Sequence, residues 1–307
     1  MHKVPLGVRV LHTLLAIVAS AGWLGCGKEQ PAPLPYIGMR DDCETFVGNV
    51  RVQTSDDLEE IAGACAISGS LELVDSALGE LALPKLLEVG RDILIDGNEA
   101  LTVVDLSGLE AVGGQTFIRS NSTLKELSLA KAELLVGGLS VSSNAQLEKL
   151  STGKLESVFG PLWVMGNDAL KKLSLPQLLA IDGELGHFYV QRNRALEQLS
   201  APKLTTAGGK VLLTDNRALT QLDLSALQSV GQELQIAYNS QLGELSLPAL
   251  TTAAQLLIDD NAKLSQIHAA ALDDVDQILI EYNAALSACE LGTLPGASTD
   301  RVPAACR

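Results

Sequence analysis

ILIDGNEALTVVDLSGLEAVGGQTFIRSNSTLKELSLAKAEL, residues 93–134, holds nearly two copies of one unit. Ile93-Leu94-Ile95 precedes Asn98, and Thr116-Phe117-Ile118 precedes Asn121. Leu101 and Leu124 follow those asparagines at the same distance. The unit recurs down the chain. Its asparagines are Asn98, Asn121, Asn144, Asn167, Asn193, Asn216, Asn239, Asn261 and Asn283, at steps of 23, 23, 23, 26, 23, 23, 22 and 22 residues. Self-similarity at such a period marks a solenoid, in which each unit buries its apolar side only against its neighbours.

Three residues beyond each asparagine stands a leucine, from Leu101 to Leu286. Six beyond stands an aliphatic residue, with Cys289 as the one exception. The run before each asparagine alternates at period two, which predicts short strands with side chains pointing in and out by turns. No stretch within a unit carries a ten-residue helical pattern, and Pro176, Pro202 and Pro248 fall where a leucine-rich horseshoe would place its helix. The expectation is an all-β chain of about ten coils of 22–23 residues, two or three strands each, paired in parallel. At a strand spacing of about 4.8 Å the stack runs roughly 45–50 Å. The asparagines read as structural, each bonding its own turn and the next coil. In the first coil Asp75 stands in the asparagine slot. Asn121-Ser122-Thr123 matches a glycosylation sequon, but its place in the ladder argues against modification.

Beyond the repeat, Phe46–Leu73 reads FVGNVRVQTSDDLEEIAGACAISGSLEL, after Cys43, and the coils include KKLSLPQL and GELSLPAL. This pattern, over about residues 43–300, resembles the receptor L domain, the ligand-binding module of insulin-type and epidermal-growth-factor-type receptors. The resemblance implies a right-handed β-helix and an extracellular binding role. It carries over no ligand.

Lys3 and Arg9 followed by the apolar run 10–19 read as a secretory leader over residues 1–25. Leu24-Gly25-Cys26 resembles a bacterial lipobox with Cys26 as the acylated residue, although Trp23 stands where an aliphatic residue is usual. Ordinary cleavage after Ala19-Ser20-Ala21 is the rival. The chain has 5 cysteines, an odd number for an exported protein. With Cys26 assigned to lipid, four remain. Bonded cysteines need Cα atoms within about 7 Å, and the ends of a solenoid lie much farther apart. Cys43 therefore pairs with Cys65, and Cys289 with Cys306. The expected organisation is leader 1–25, Pro-containing tether 26–42, N-terminal cap 43–66, solenoid 67–288 and C-terminal cap 289–307. Within the first cap Leu58, Ile61, Ala62 and Cys65 fall on one helical face, with Thr54 or Ser55 as the N-cap. Such a helix covers the open edge of the stack.

Removing residues 1–25 takes away Lys3 and Arg9 and no acid, so the net charge of −15 becomes −17. That balance argues against nucleic acid and against anionic polymers as general partners. Asp259, Asp260, Asp273, Asp274 and Asp276 match no calcium loop and read as solvated. No cofactor or metal is expected.

The residues four before each asparagine form one outward column: Leu94, Phe117, Ser140, Trp163, Tyr189, Leu212, Gln235, Leu257 and Leu279. Solvent-facing strand positions are usually polar, so this column reads as a contact surface, with cover by the N-terminal tether or a tolerated exposed face as the alternatives. A second outward column, from Asp96 to Glu281, is mixed, and the next sheet presents short polar residues. The long step places extra residues near Gly183–His187, beside Tyr189 and Arg192. Insertions in solenoids often mark the binding face. The expected ligand site is Trp163, Met165, His187, Tyr189 and Arg192, extended by Phe117 and Leu212.

Catalytic signals are sparse. Beyond residue 25 the histidines are His187 and His268, and the S-x-x-K matches at Ser122–Lys125 and Ser151–Lys154 lack companion motifs. The chain reads as a non-enzyme. Three roles remain: an envelope lipoprotein binding a peptide, protein or glycan; a structural lipoprotein or self-associating adhesin; and a polysaccharide-active β-helix enzyme. Membrane contact is expected through the lipid alone.

Overall fold

The structure is a computed structural model and describes residues 43–287. Each coil carries three short strands, as in Ile93–Asp96, Val103–Asp105 and Ala111–Val112. Alternation sets their faces: Ile93 and Ile95 are buried, while Leu94 is half-buried. Every pairing is parallel and joins equivalent strands of successive coils. Ile93–Asp96, for example, lies between Leu71–Val74 and Thr116–Arg119. The three strand positions stack into three faces, named first, second and third in chain order.

The first face is continuous from Val50–Arg51 to Asp274–Glu281. The second breaks into groups of 4, 3 and 2 strands. Prolines 176, 202 and 248 lie in the turns between the second and third faces, where no helix forms. The corner between the third face and the next first face is built on glycine. Gly138, Gly160 and Gly183 adopt φ of 96°, 117° and 90°, a region glycine enters without Cβ clash. From Ser229–Ala237 onward the third and first faces join in one strand, as in Thr252–Asp259 and Asp274–Glu281. Where Gly231-Gln232 gives way to the single Ala254 the corner loses a residue and the repeat shortens to 22 residues.

Between the faces the leucines form a single core. Leu101, Leu124, Leu147, Leu170, Leu196, Leu219, Leu242 and Leu264 are all at 0% exposure. Full burial of such a side chain contributes about 1.5–3 kcal/mol before ordering costs. The asparagines run beside this core as a hydrogen-bonded ladder. Asn121 Oδ1 accepts from the Asn98 amide N–H (3.1 Å) and from Asn98 Nδ2 (2.8 Å), while Asn121 Nδ2 donates to the Ile95 carbonyl (3.1 Å). The same bonds recur at Asn167 and Asn193. Asn98 to Asn261 are fully buried, and Asn283 is half-buried.

The first coil departs from the expected register. Leu71–Val74 aligns with Ile93–Asp96, so Asp75 matches Gly97 and Ser76 takes the asparagine slot. Ser76 is buried, and its N–H donates to Asn98 Oδ1 (2.9 Å). Asp75 instead holds the left-handed corner position at φ 51°. The mismatch arises because this coil is one residue shorter before its second strand, where Leu81 still pairs with Val104.

The N-terminal cap is more strand-like than expected. Thr45–Phe46 and Val50–Arg51 extend the third and first faces by a partial coil. Helix α1, Ser55–Ile61, follows. Thr54 caps it in a capping box, and Asp57 Oδ2 accepts from the Gln53 and Thr54 N–H groups (2.8 Å each). These backbone bonds hold the Asp57 carboxyl below the usual carboxylate range. The expectation for Ala62 is corrected: the helix ends at Ile61, Ala62 is its exposed C-cap, and Ala64 fills the buried place. Cys43 and Cys65 form the expected disulfide, with Cα atoms 6.1 Å apart. Cys26, Cys289 and Cys306, with the leader, the tether and the C-terminal cap, lie outside the described residues.

Candidate functional site

The outward column is in register from coil to coil. Leu94 pairs with Phe117, Phe117 with Ser140, Ser140 with Trp163, Trp163 with Tyr189, and Tyr189 with Leu212. It continues through Gln235 and Leu257 to Leu279. Parallel pairing forces like beside like, so each large side chain shelters its neighbours. Most of the column is therefore half-buried, and only Leu279 reaches 36% exposure.

Three rings stack in the middle of this face. Trp163 and Tyr189 have centroids 5.8 Å apart and planes 4° from parallel. His187 lies 5.2 Å from Tyr189 at 11°. His187 stands at the end of the insertion, a turn closed by Gly186 N–H to the Gly183 carbonyl (2.8 Å) and His187 N–H to the Leu185 carbonyl (2.8 Å). The imidazole is committed to structure as well as to the stack, because its Nδ1 accepts from the Lys210 N–H (2.9 Å). Burial, and then the Lys210 charge, hold its pKa below the ordinary value. An accepting Nδ1 places the neutral ring's proton on Nε2.

On the other side of Trp163 the column drops to a small residue. Ser140 lies between Phe117 and Trp163, and the surface there sinks into a recess of about 360 Å³. Phe117, Ser140, Ser142, Trp163, Met165 and Arg192 line it, together with Arg119, Ser143 and Gly166. Arg119 is already engaged: its guanidinium lies 5.6 Å from the Phe117 centroid and its Nε donates to Asp96 (2.9 Å). The exposed Arg192 guanidinium has no hydrogen-bond or ion-pair partner among the described residues. Its backbone is left-handed at φ 56°, and the matching residue of the preceding coil is Gly166, which leaves the space behind it open. The Trp163 indole Nε1–H is buried and meets no acceptor among the described residues.

Phe117, Trp163, Met165 and Arg192 thus gather around one recess, with Tyr189 and His187 buttressing Trp163. Leu212 pairs with Tyr189 on the far side and does not reach the recess. Ser140, Ser142 and Gly166 were missed by sequence reasoning, though a serine between two aromatics in one column was a legible signal. A larger concavity of about 510 Å³ lies on the second face, lined by Lys172, Gln198, Ser200, Asp223 and Glu244 among others. It offers no aromatic surface. Of the two S-x-x-K lysines, Lys154 is paired with Glu133 (3.5 Å). Among the described residues no cluster of three or more His, Cys, Asp and Glu side chains could hold a metal ion.

Comparison of the chain with protein-family models, with curated proteins and with solved structures finds no match.

Proposed function

We propose that this chain is a recognition solenoid of the bacterial cell envelope. Lipid at Cys26 ties it to a membrane, and the first face binds a peptide, protein or glycan. It performs no catalysis in this reading. The observation that carries it is the aromatic recess. Phe117 and Trp163 stand on a solvent-facing strand position, Trp163 is fixed by a ring stack, and the small Ser140 opens a cleft between them. Rigid aromatic anchors beside a preformed recess are how binding surfaces concentrate affinity. The disulfide Cys43–Cys65 supports an exported address, since such bonds persist in oxidising compartments. The resemblance to receptor L domains points the same way.

The test uses the full chain with Trp23→Phe, so that Trp163 is the sole tryptophan. Its emission is followed while envelope polysaccharides, short oligosaccharides and peptides are titrated, with calorimetry on any that respond. Binding that shifts the emission and is lost in Trp163→Ala supports the reading. If ligands bind with unchanged affinity to Trp163→Ala, the first face is not the contact surface.

A further inference from the structure

We infer that the recess between Phe117 and Trp163 takes a single sugar ring bearing a carboxylate, the acidic terminus of an otherwise neutral glycan. This rests on the recognition reading above and assigns its ligand class.

Spacing decides how much fits. Phe117 and Trp163 are two coils apart, which is about 9.6 Å at the parallel-strand spacing. One ring in van der Waals contact on both sides uses roughly 7–8 Å, whereas two stacked rings use roughly 10.5–12 Å. The recess therefore admits one ring. Tyr189 occupies one face of Trp163, and the column order Ser140, Trp163, Tyr189 turns the other face towards the cleft. The Ser140 and Ser142 hydroxyls line the same recess and suit a ligand carrying several hydroxyl groups. An aromatic side chain would fill the gap but leave these hydroxyls unanswered.

Charge assigns the substituent. Arg119 is neutralised by Asp96, so the uncommitted cation at the recess is Arg192. A planar guanidinium meets a carboxylate through two parallel hydrogen bonds. It also holds a left-handed backbone that a glycine would hold without strain. The chain's net charge of −15 repels a polyanion. A lone carboxylate is met locally by Arg192, and the rest of the glycan carries no charge to be repelled.

The experiment titrates the full chain carrying Trp23→Phe with an otherwise neutral tetrasaccharide ending in glucuronate, and with the same tetrasaccharide ending in glucose. The acidic form is expected to bind about ten-fold tighter, the scale of one charge-assisted pair. Arg192→Gln is expected to abolish that preference. Ser140→Leu fills the cleft and is expected to abolish binding of both. Leucine already occupies this column at Leu94 and Leu212, and an unchanged urea midpoint verifies the fold of the variant. Equal affinity for the two sugars, with Arg192→Gln silent, overturns the carboxylate assignment and leaves the recognition reading standing. Binding of aromatic peptides but of neither sugar, through Trp163, overturns the glycan and again spares that reading. If neither sugar binds and Trp163→Ala alters no interaction with any peptide or polysaccharide, both fall.

Discussion

Replacing Asn193 by alanine tests what holds the coils in register. Asn193 Oδ1 accepts from the Asn167 amide N–H (3.0 Å) and from Asn167 Nδ2 (3.3 Å). Its Nδ2 donates to the Val164 carbonyl (2.9 Å) and to Asn216 Oδ1 (3.2 Å). In Asn193→Ala the Asn167 side chain keeps its bond to the Val141 carbonyl (2.9 Å), and Asn216 Oδ1 still receives the residue-193 N–H. The Asn167 backbone N–H keeps nothing. A buried donor left without an acceptor costs about 1–3 kcal/mol, and the lost Nδ2 bonds and small void add roughly 1–2 kcal/mol. The expected loss is about 2–5 kcal/mol, a large share of the roughly 5–15 kcal/mol that holds a domain folded. Asn283→Ala removes similar bonds at a half-buried site, where water reaches more of the freed groups, and is expected to cost about 1–2 kcal/mol less than Asn193→Ala. Urea unfolding of the disulfide-intact chain, followed by far-ultraviolet circular dichroism, measures both. Equal losses at the two positions, or a loss below about 1 kcal/mol at Asn193, would refute the argument that buried backbone donors depend on the ladder. Asn193→Asp separates the two halves of the bonding. It keeps the acceptor for Asn167 but sets a buried carboxylate against Asn216 Oδ1. Burial raises its folded-state pKa, so the variant is least stable at neutral pH and regains stability as pH falls through that value.

Three further outcomes are expected. Thr116→Val is stabilising by about 0.5–1.5 kcal/mol in the same urea assay, because the buried Thr116 hydroxyl meets no partner among the described residues and valine keeps its shape. Arg192→Gly raises stability by roughly 0.5–1 kcal/mol, since the relief of the left-handed backbone outweighs the added freedom of the unfolded chain. The same substitution removes the preference for an acidic sugar, so a stability gain with the preference intact would contradict the role given to Arg192. Acidification from about pH 7.5 to about pH 5 weakens the insertion at His187. Its pKa is lowered in the fold, so its contribution is present above the unfolded value and is lost as pH falls and Nδ1 takes a proton. Protection of the Lys210 amide, corrected for intrinsic exchange rates, falls over that range; unchanged protection would mean Nδ1 is not its acceptor.

The fold was legible because its signals are local and repeated. Asparagine, leucine and the strand alternation set the stacked coils, the inward rows and the outward column, but left two or three strands per coil open; the third strand, as at Ala111–Val112, is too short to show an alternation. What escaped the pattern was offset by one residue or set by the corners. Asp75 looked like the ladder residue because Leu78 and Leu81 follow it at the usual offsets of three and six. Only the pairing of Leu71 with Ile93 shows the shorter coil. Ala62 lay on the helical face by spacing, but helix α1 stops one residue earlier. The left-handed corners at Ser120, Ser143, Arg192, Asp215, Tyr238, Asp260 and Tyr282 were not read, because the position repeats no single residue type and its arginine and tyrosines carry no turn signal.

Those corners bear on how such a solenoid acquires a site. Inward positions are fixed by the core and the ladder, so variation is confined to outward columns and corner residues. At Gly97 and Gly166 the corner is filled by the residue that suits its backbone, and at Arg192 by one that does not. The strain at Arg192 is borne by the coil that carries Tyr189, beside the one that carries Trp163 and Met165. Asp75, Ser120, Ser143, Asp215, Tyr238, Asp260 and Tyr282 hold the same left-handed corner, so the strain belongs to the scaffold, and what sets Arg192 apart is its place on the recess with Trp163 and Met165.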